Sequence, residues 1–232
     1  MSFVVCAYYT DDEVYTEHSK NFIVSLQNLS VAYDIIEMNS LTDWYQGMQY
    51  KPTFLKEMLE KHSPHSIVYV DIDAVFCKYP LFFDILDRKE NIVLSAHILD
   101  HSKYRRNRHK PELLSGTLFL KNCDRTKSLV DDWIAECKKD PKLWDQRALA
   151  SVIKKGDLTV LPEEYCVIFD YMSSIANPVI KHFQASRITR NRSRKDKAQV
   201  LVKSAKPVKV VKNDGTVHIG RSRSGRIGGF LG

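Results

Sequence analysis

A chain of 232 residues, 44% of them hydrophobic, is long enough for one α/β domain with a core, and it contains no run apolar enough to cross a membrane. The net charge of +7 is unevenly spread: residues 187–232 carry 13 Lys/Arg against 2 Asp/Glu, whereas residues 1–186 carry 22 against 26. An acidic body (1–186) with a basic extension (187–232) is expected, and the extension suits a polyanionic partner.

Taken in chain order, Phe3–Tyr9 reads as a first strand and Val14–Leu29 as a helix with Phe22, Leu26 and Leu29 on its inner face. The opening Met1-Ser-Phe-Val-Val-Cys lacks the basic n-region of a signal peptide, so a cytoplasmic location is expected. Tyr33–Met38 is a second strand. Ser40–Lys51 reads as a loop, and Pro52 opens a helix running to about Lys61. Ser66–Phe76 is a buried strand. Pro80–Leu86 is a short helix, Asn91–Ala96 a strand, and His97–Lys110 a polar, basic loop. Gly116–Leu120 is a strand, followed by helices at Thr126–Lys138 and Leu143–Lys154. Leu158–Leu161 and Val179–Phe183 close the sheet. Strands alternating with helices predict a mostly parallel sheet covered on both faces. In the extension, Pro207–Ile219 reads as a hairpin turning at Asn213-Asp214-Gly215. Five scattered cysteines without a C-x-x-C pair suggest buried free thiols.

The segment Val68-Tyr-Val-Asp71-Ile-Asp73 carries the strongest chemical signal. Two carboxylates one residue apart on a strand project to the same face. Leaving a buried strand together, they are costly unless a cation receives them. The simplest receiver is Mg²⁺ or Mn²⁺ with a diphosphate, at the carboxyl end of a central strand. The plainer alternative is a pair of turn-capping aspartates.

Three further segments accompany it: Leu114-Ser-Gly-Thr-Leu-Phe-Leu-Lys-Asn122, Trp144-Asp-Gln-Arg-Ala-Leu149 and Pro178-Val-Ile-Lys-His182-Phe. In this order, over residues 3–187, the four resemble the nucleotide-sugar glycosyltransferases of the GT-A fold, and most of all the glycogenin-like retaining group. The resemblance implies a Rossmann-like sheet, a nucleoside-diphosphate sugar donor, and transfer to a hydroxyl with retention. It implies a metal held by Asp71, Asp73 and His182, with Asp71 also on the donor. Asp145 and Gln146 then lie beside the anomeric carbon as the catalytic pair, although Asp145 could simply cap a helix. Ser115, Gly116 and Thr117 line the sugar. Tyr8, with Tyr9 and Thr10, ends the first strand where the base and ribose are held. Lys51, in a segment with Tyr45, Gln49 and Tyr50, reaches the diphosphate; Lys181 is a weaker candidate because strand alternation turns it away from His182. Mixed oxygen and nitrogen ligands favour Mn²⁺ over Mg²⁺.

Two features depart from that group. The loop holds Lys103, Arg105, Arg106, Arg108 and Lys110, and the extension begins with Arg187, Arg190, Arg192 and Arg194. Both suit an anionic acceptor, such as DNA bearing a hydroxymethylated base in a phage-like setting. The alternatives are a glycan or protein acceptor, and a nucleic-acid-binding protein with a vestigial transferase site.

Overall fold

The computed structural model describes residues 3–39, 44–104, 110–170, 172–185, 208–211 and 217–220. The chain divides into two compact units, Met1–Ala185 and Ser186–Gly232.

The first unit begins with β1 (Phe3–Thr10), α1 (Glu13–Asn28) and β2 (Tyr33–Met38). Asp12 starts α1 by accepting the amides of Val14 and Tyr15, both at 3.1 Å, which satisfies two otherwise orphaned donors. The next helix, α2 (Trp44–Lys61), corrects the sequence reading: Pro52 lies inside it and residues 44–51, expected as loop, are helical. Proline there removes a backbone hydrogen bond and crowds the preceding turn, at a cost of about 3 kcal/mol, and burial of the inward stripe outweighs that loss. Phe54, Leu55, Met58 and Leu59 are buried along that stripe, and Lys51 continues it, one turn earlier.

β3 (Ser66–Val70) is buried throughout and is followed closely by β4 (Ala74–Phe76), α3 (Leu81–Asp87) and β5 (Leu94–Leu99). β6 (Glu112–Leu120) starts four residues earlier than its expected bound. α4 (Asp124–Lys139), α5 (Asp145–Val152), β7 (Leu158–Val160), β8 (Val167–Ile168) and β9 (Ile180–His182) complete the unit.

Six strands form the main sheet in the order β2-β1-β3-β6-β5-β7. β6 pairs antiparallel with both β3 and β5, while the other pairings are parallel, so β6 runs against the remaining five. Alternate residues of the central strands feed two cores. Val5, Val68, Val70 and Phe119 pack with Phe22, Leu26 and Phe83 on the face of α1 and α3. Cys6, Ile67, Tyr69, Leu118 and Leu120 pack with Phe54, Leu55, Trp133 and Leu149 on the face of α2, α4 and α5. Asn122, at the end of β6, ties these layers by donating to the carbonyls of Leu59 at 2.8 Å and His65 at 3.0 Å.

β9 does not close the main sheet as expected. It pairs with β4 and β8 in a separate three-stranded sheet, with Ala74 opposite His182. This displacement brings the late histidine to the aspartates. The thiols also differ in part from expectation: Cys6, Cys137 and Cys166 are buried, but Cys77 is exposed. No described helix is long and apolar enough to cross a membrane. In the second unit, β10 (Val208–Val211) and β11 (Val217–Gly220) pair as an antiparallel ribbon, with Val211 opposite Val217; the expected turn residues Asn213, Asp214 and Gly215 lie outside the described residues.

Candidate active site

The site gathers at the carboxyl end of β3. Asp71 and Asp73 are not in the strand, as expected, but in the turn after it, closed by the Ala74 amide donating to the Asp71 carbonyl at 3.1 Å. Their convergence therefore comes from the turn and not from strand pleating. The turn is anchored on two sides. The Asp71 amide donates to the Gly116 carbonyl at 2.9 Å, and the Phe183 amide donates to the Asp73 carbonyl at 2.9 Å. The Asp73 carboxylate also accepts the Ala185 amide at 2.7 Å.

One ligand atom each from Asp71, Asp73 and His182 lies within 4.8 Å of the other two. Thr117 Oγ1 sits 2.8 Å from His182 Nε2, which orients the ring so that Nδ1 faces Asp73 Oδ1 at 3.9 Å. Gly116 passes between these groups. A Cβ there would stand 3.0 Å from Asp71 Oδ2 and 3.3 Å from His182 Cε1, so only glycine leaves the space open. Two hard oxygen donors and one imidazole around a space kept clear of side chains fit a divalent cation such as Mn²⁺ or Mg²⁺.

The ionisation of these groups reflects crowding. Desolvation holds the Asp71 carboxyl above the usual carboxylate range, against the pull of Lys51, and the neighbouring Asp73 charge adds to the rise. For Asp73, desolvation is outweighed by His182 and the Ala185 amide, and its carboxyl lies below the usual range. Burial alone would lower the His182 imidazole; the Cys166 sulfur and Asp73 outweigh it and hold it up at about 10.

Behind this triad is a second charged group with little access to water. Lys51 Nζ lies 3.2 Å from Asp71 Oδ1 and 3.1 Å from Asp145 Oδ2, and the Lys51 and Asp145 side chains are each only 9% exposed. The ammonium also donates to the Ser115 carbonyl at 3.2 Å and hydroxyl at 3.3 Å. Ser115 Oγ donates in turn to Asp145 Oδ2 at 2.7 Å. Lys51 keeps its proton because the two carboxylates override its desolvation. Asp145 opens α5, and its carbonyl accepts the Trp133 indole N–H at 2.9 Å, which fixes the helix start.

Several expected residues have additional or different partners. The Tyr8 ring packs among Tyr50, Phe54 and Tyr69 at centroid distances of 4.9–6.1 Å. Thr10 donates to Asp12 at 2.7 Å, which supports the α1 cap. Lys181 lies over the Phe183 ring at 5.5 Å, away from His182 as strand alternation requires. Gln146 Nε2 donates to Glu112 Oε1 at 2.6 Å. Arg105, Arg106, Arg108, Arg187, Arg190, Arg192 and Arg194 lie outside the described residues, as does the side chain of Tyr45.

Two residues at the site were missed in the sequence. Tyr69 donates its hydroxyl to Asp71 Oδ1 at 2.8 Å and lies under the Lys51 ammonium, 4.8 Å from the ring centroid. Its position two residues before Asp71 was the available signal, since i and i+2 share a strand face. Glu112 carried no local signal.

The sequence matches the nucleotide-diphospho-sugar transferase family over residues 5–201. The chain belongs to that family and is a glycosyltransferase. Among solved structures, the transferase resembles a glycosyltransferase involved in the glycosylation of the major capsid of PBCV-1. That pair has a TM-score of 0.64 at 12% identity, over 87% of this chain and 100% of the other. It also resembles GlyE of Streptococcus pneumoniae TIGR4, with a TM-score of 0.54 at 13% identity over 78% of this chain and 54% of that one. Mouse xyloside xylosyltransferase 1 gives 0.52 at 10% identity, over 79% and 98%. At such identities these likenesses show the shared GT-A fold. No curated protein matches the transferase sequence.

Proposed function

We propose that this glycosyltransferase moves a sugar from a UDP-sugar to a hydroxyl, with retention and with a divalent metal on Asp71, Asp73 and His182. The observation that carries the reading is the meeting of those three side chains within 4.8 Å, directly beside the buried Lys51–Asp145 pair. A divalent cation bound there supplies Lewis-acid stabilisation of the leaving diphosphate.

The chain's own residues supply the rest. Asp145 and Ser115 present oxygens to sugar hydroxyls, and Lys51 holds both Asp145 and Asp71 in place. Gly116 admits the sugar close to the backbone. Gln146, next to Asp145, faces the anomeric carbon and stabilises positive charge on the sugar as the bond to the diphosphate breaks. The hydroxyl attacks from the face the diphosphate leaves, as in the glycogenin-like group, and its proton passes to the departing phosphate oxygen.

The acceptor reading rests on charge. The 13 basic residues among 187–232 and the basic residues of 103–110 suit an acceptor with a phosphate backbone, and hydroxymethylated DNA is the first to try.

The test is nucleoside diphosphate release from a panel of UDP-, GDP- and TDP-sugars with Mn²⁺, Mg²⁺ or EDTA. Release from one donor that EDTA abolishes supports the reading, and release that EDTA leaves unchanged removes the metal from it. Transfer to hydroxymethylated DNA that survives deletion of residues 187–232 at unchanged KM would remove the extension from the acceptor site.

A further inference from the structure

Gln146 is not free to turn. Its Nε2 donates to Glu112 Oε1 at 2.6 Å, and the other oxygen of that carboxylate lies 2.7 Å from His101 Nε2. The three residues come from three elements: the start of α5, the first residue of β6, and the turn after β5. His101 is 3% exposed, and its Nδ1 has no hydrogen-bond partner among the described residues. An unprotonated Nδ1 is the cheaper of the two tautomers, since a buried N–H without an acceptor costs more than a buried lone pair. The His101 proton therefore lies on Nε2 and is donated to Glu112.

The direction of the Glu112–Gln146 bond is likewise fixed by chemistry. An ionised carboxylate only accepts, so the NH₂ end of the amide must face Glu112 and the carbonyl Oε1 must face away from it. A hydrogen bond to a charged acceptor also polarises the amide and increases the negative charge on Oε1.

We infer that Glu112 is a positioning residue for Gln146, backed by His101, and that it aims the Gln146 carbonyl at the cationic sugar of the transition state. The inference rests on the proposed role of Gln146 and extends it to a buried relay, His101–Glu112–Gln146. Without Glu112 the amide can flip, and its NH₂ end then meets the developing positive charge. The relay acts on the transition state more than on the bound donor, so its loss lowers kcat and leaves KM for the donor unchanged.

The test is a double-mutant cycle on donor turnover with Glu112→Gln, Gln146→Ala and the pair. Glu112→Gln keeps the shape and lowers kcat about 10- to 100-fold, the scale of a hydrogen bond to a charged group. In the Gln146→Ala background the same change has no further effect. Equal losses in both backgrounds would overturn the relay while leaving Gln146 in its role; a Gln146→Ala variant with wild-type kcat would overturn the role of Gln146 and the relay with it. A readout independent of turnover is the side-chain NH₂ resonance of Gln146. It is shifted and slow to exchange in the wild type and loses both properties in Glu112→Ala, which removes the acceptor; a resonance identical in the two proteins would refute the hydrogen bond itself.

Discussion

Asp71 belongs to two groups that handle charge in opposite ways. On one side, Lys51, Asp145 and Ser115 form a closed set: the ammonium has two carboxylates, the hydroxyl bridges to one of them, and the Lys51 and Asp145 side chains are shielded from water. On the other, Asp73 and His182 meet Asp71 around a space that Gly116 keeps open. The closed set is satisfied as it stands, so it serves as scaffolding that holds the Asp145 and Ser115 side chains in place. The open set has two carboxylates with one imidazole between them, which is the arrangement that a divalent cation completes. The difference teaches that burial alone does not mark a working group. What matters is whether its polar atoms already have their partners.

The comparison is broken or sharpened most strongly at Asp73. Asp73→Asn keeps an oxygen for the Ala185 amide but removes an anionic ligand, and metal-dependent turnover falls by about 10³-fold. Titration of Mn²⁺ against nucleoside diphosphate binding checks it, and a variant that binds as tightly as wild type would place the metal elsewhere.

The closed set predicts a loss of stability. Lys51→Met leaves the buried Asp145 carboxylate without its cation and costs about 3 kcal/mol of unfolding free energy, as for a broken buried ion pair. Urea denaturation measures it. A cost below about 1 kcal/mol would mean that water reaches the Asp145 carboxylate and that the set is not closed.

A smaller effect tests the space between the groups. Gly116→Ala pushes its Cβ against Asp71 and His182, and metal affinity falls about 10-fold with little change in stability. Isothermal titration with Mn²⁺ decides this; an unchanged affinity would show that the triad gives way freely.

The smallest effect lies in the pH dependence of the metal-free protein. Asp73, held below the usual carboxylate range, contributes stability that is present above its unfolded value and fades as pH falls through its folded one. Asp71, held above that range, costs stability as it ionises with rising pH. The stability advantage of wild type over Asp73→Asn should therefore shrink on acidification. That of Asp71→Asn over wild type should grow as pH rises from about 3 to 6. Urea titrations across that range report both slopes, and slopes of the opposite sign would reverse the assignment of the two carboxylates.

Much of this was legible in the order of residues. Hydrophobic period marked most strands and helices, and the four short segments around Asp71, Gly116, Asp145 and His182 identified the fold and the residues that meet at its centre. Those signals are local: a strand's alternation, a glycine where space is short, an aspartate opening a helix. Local signals failed where local preference was overruled. Residues 44–51 read as loop because of their polarity and the following proline, yet they form helix because burial of Phe54, Leu55 and Met58 on one face outweighs the lost hydrogen bond and crowding of an interior proline.

What the sequence by itself determined was the fold family, the residue types that meet at the candidate metal site and the division of charge between the body and the extension. Tertiary structure alone decided that a turn, not a strand face, joins the two aspartates, and that β9 leaves the main sheet to carry His182 to them. It alone decided that Lys51 is spent inside the protein, and that Glu112 and His101 stand behind Gln146. The physical reason is shared: the turn is anchored on Gly116 and Phe183, and the other three depend on partners elsewhere in the chain (Lys51 on Asp71, Asp73 on His182, Glu112 on Gln146 and His101), brought near by strand register and helix packing. No local pattern encodes which distant side chain will complete a hydrogen bond or balance a charge.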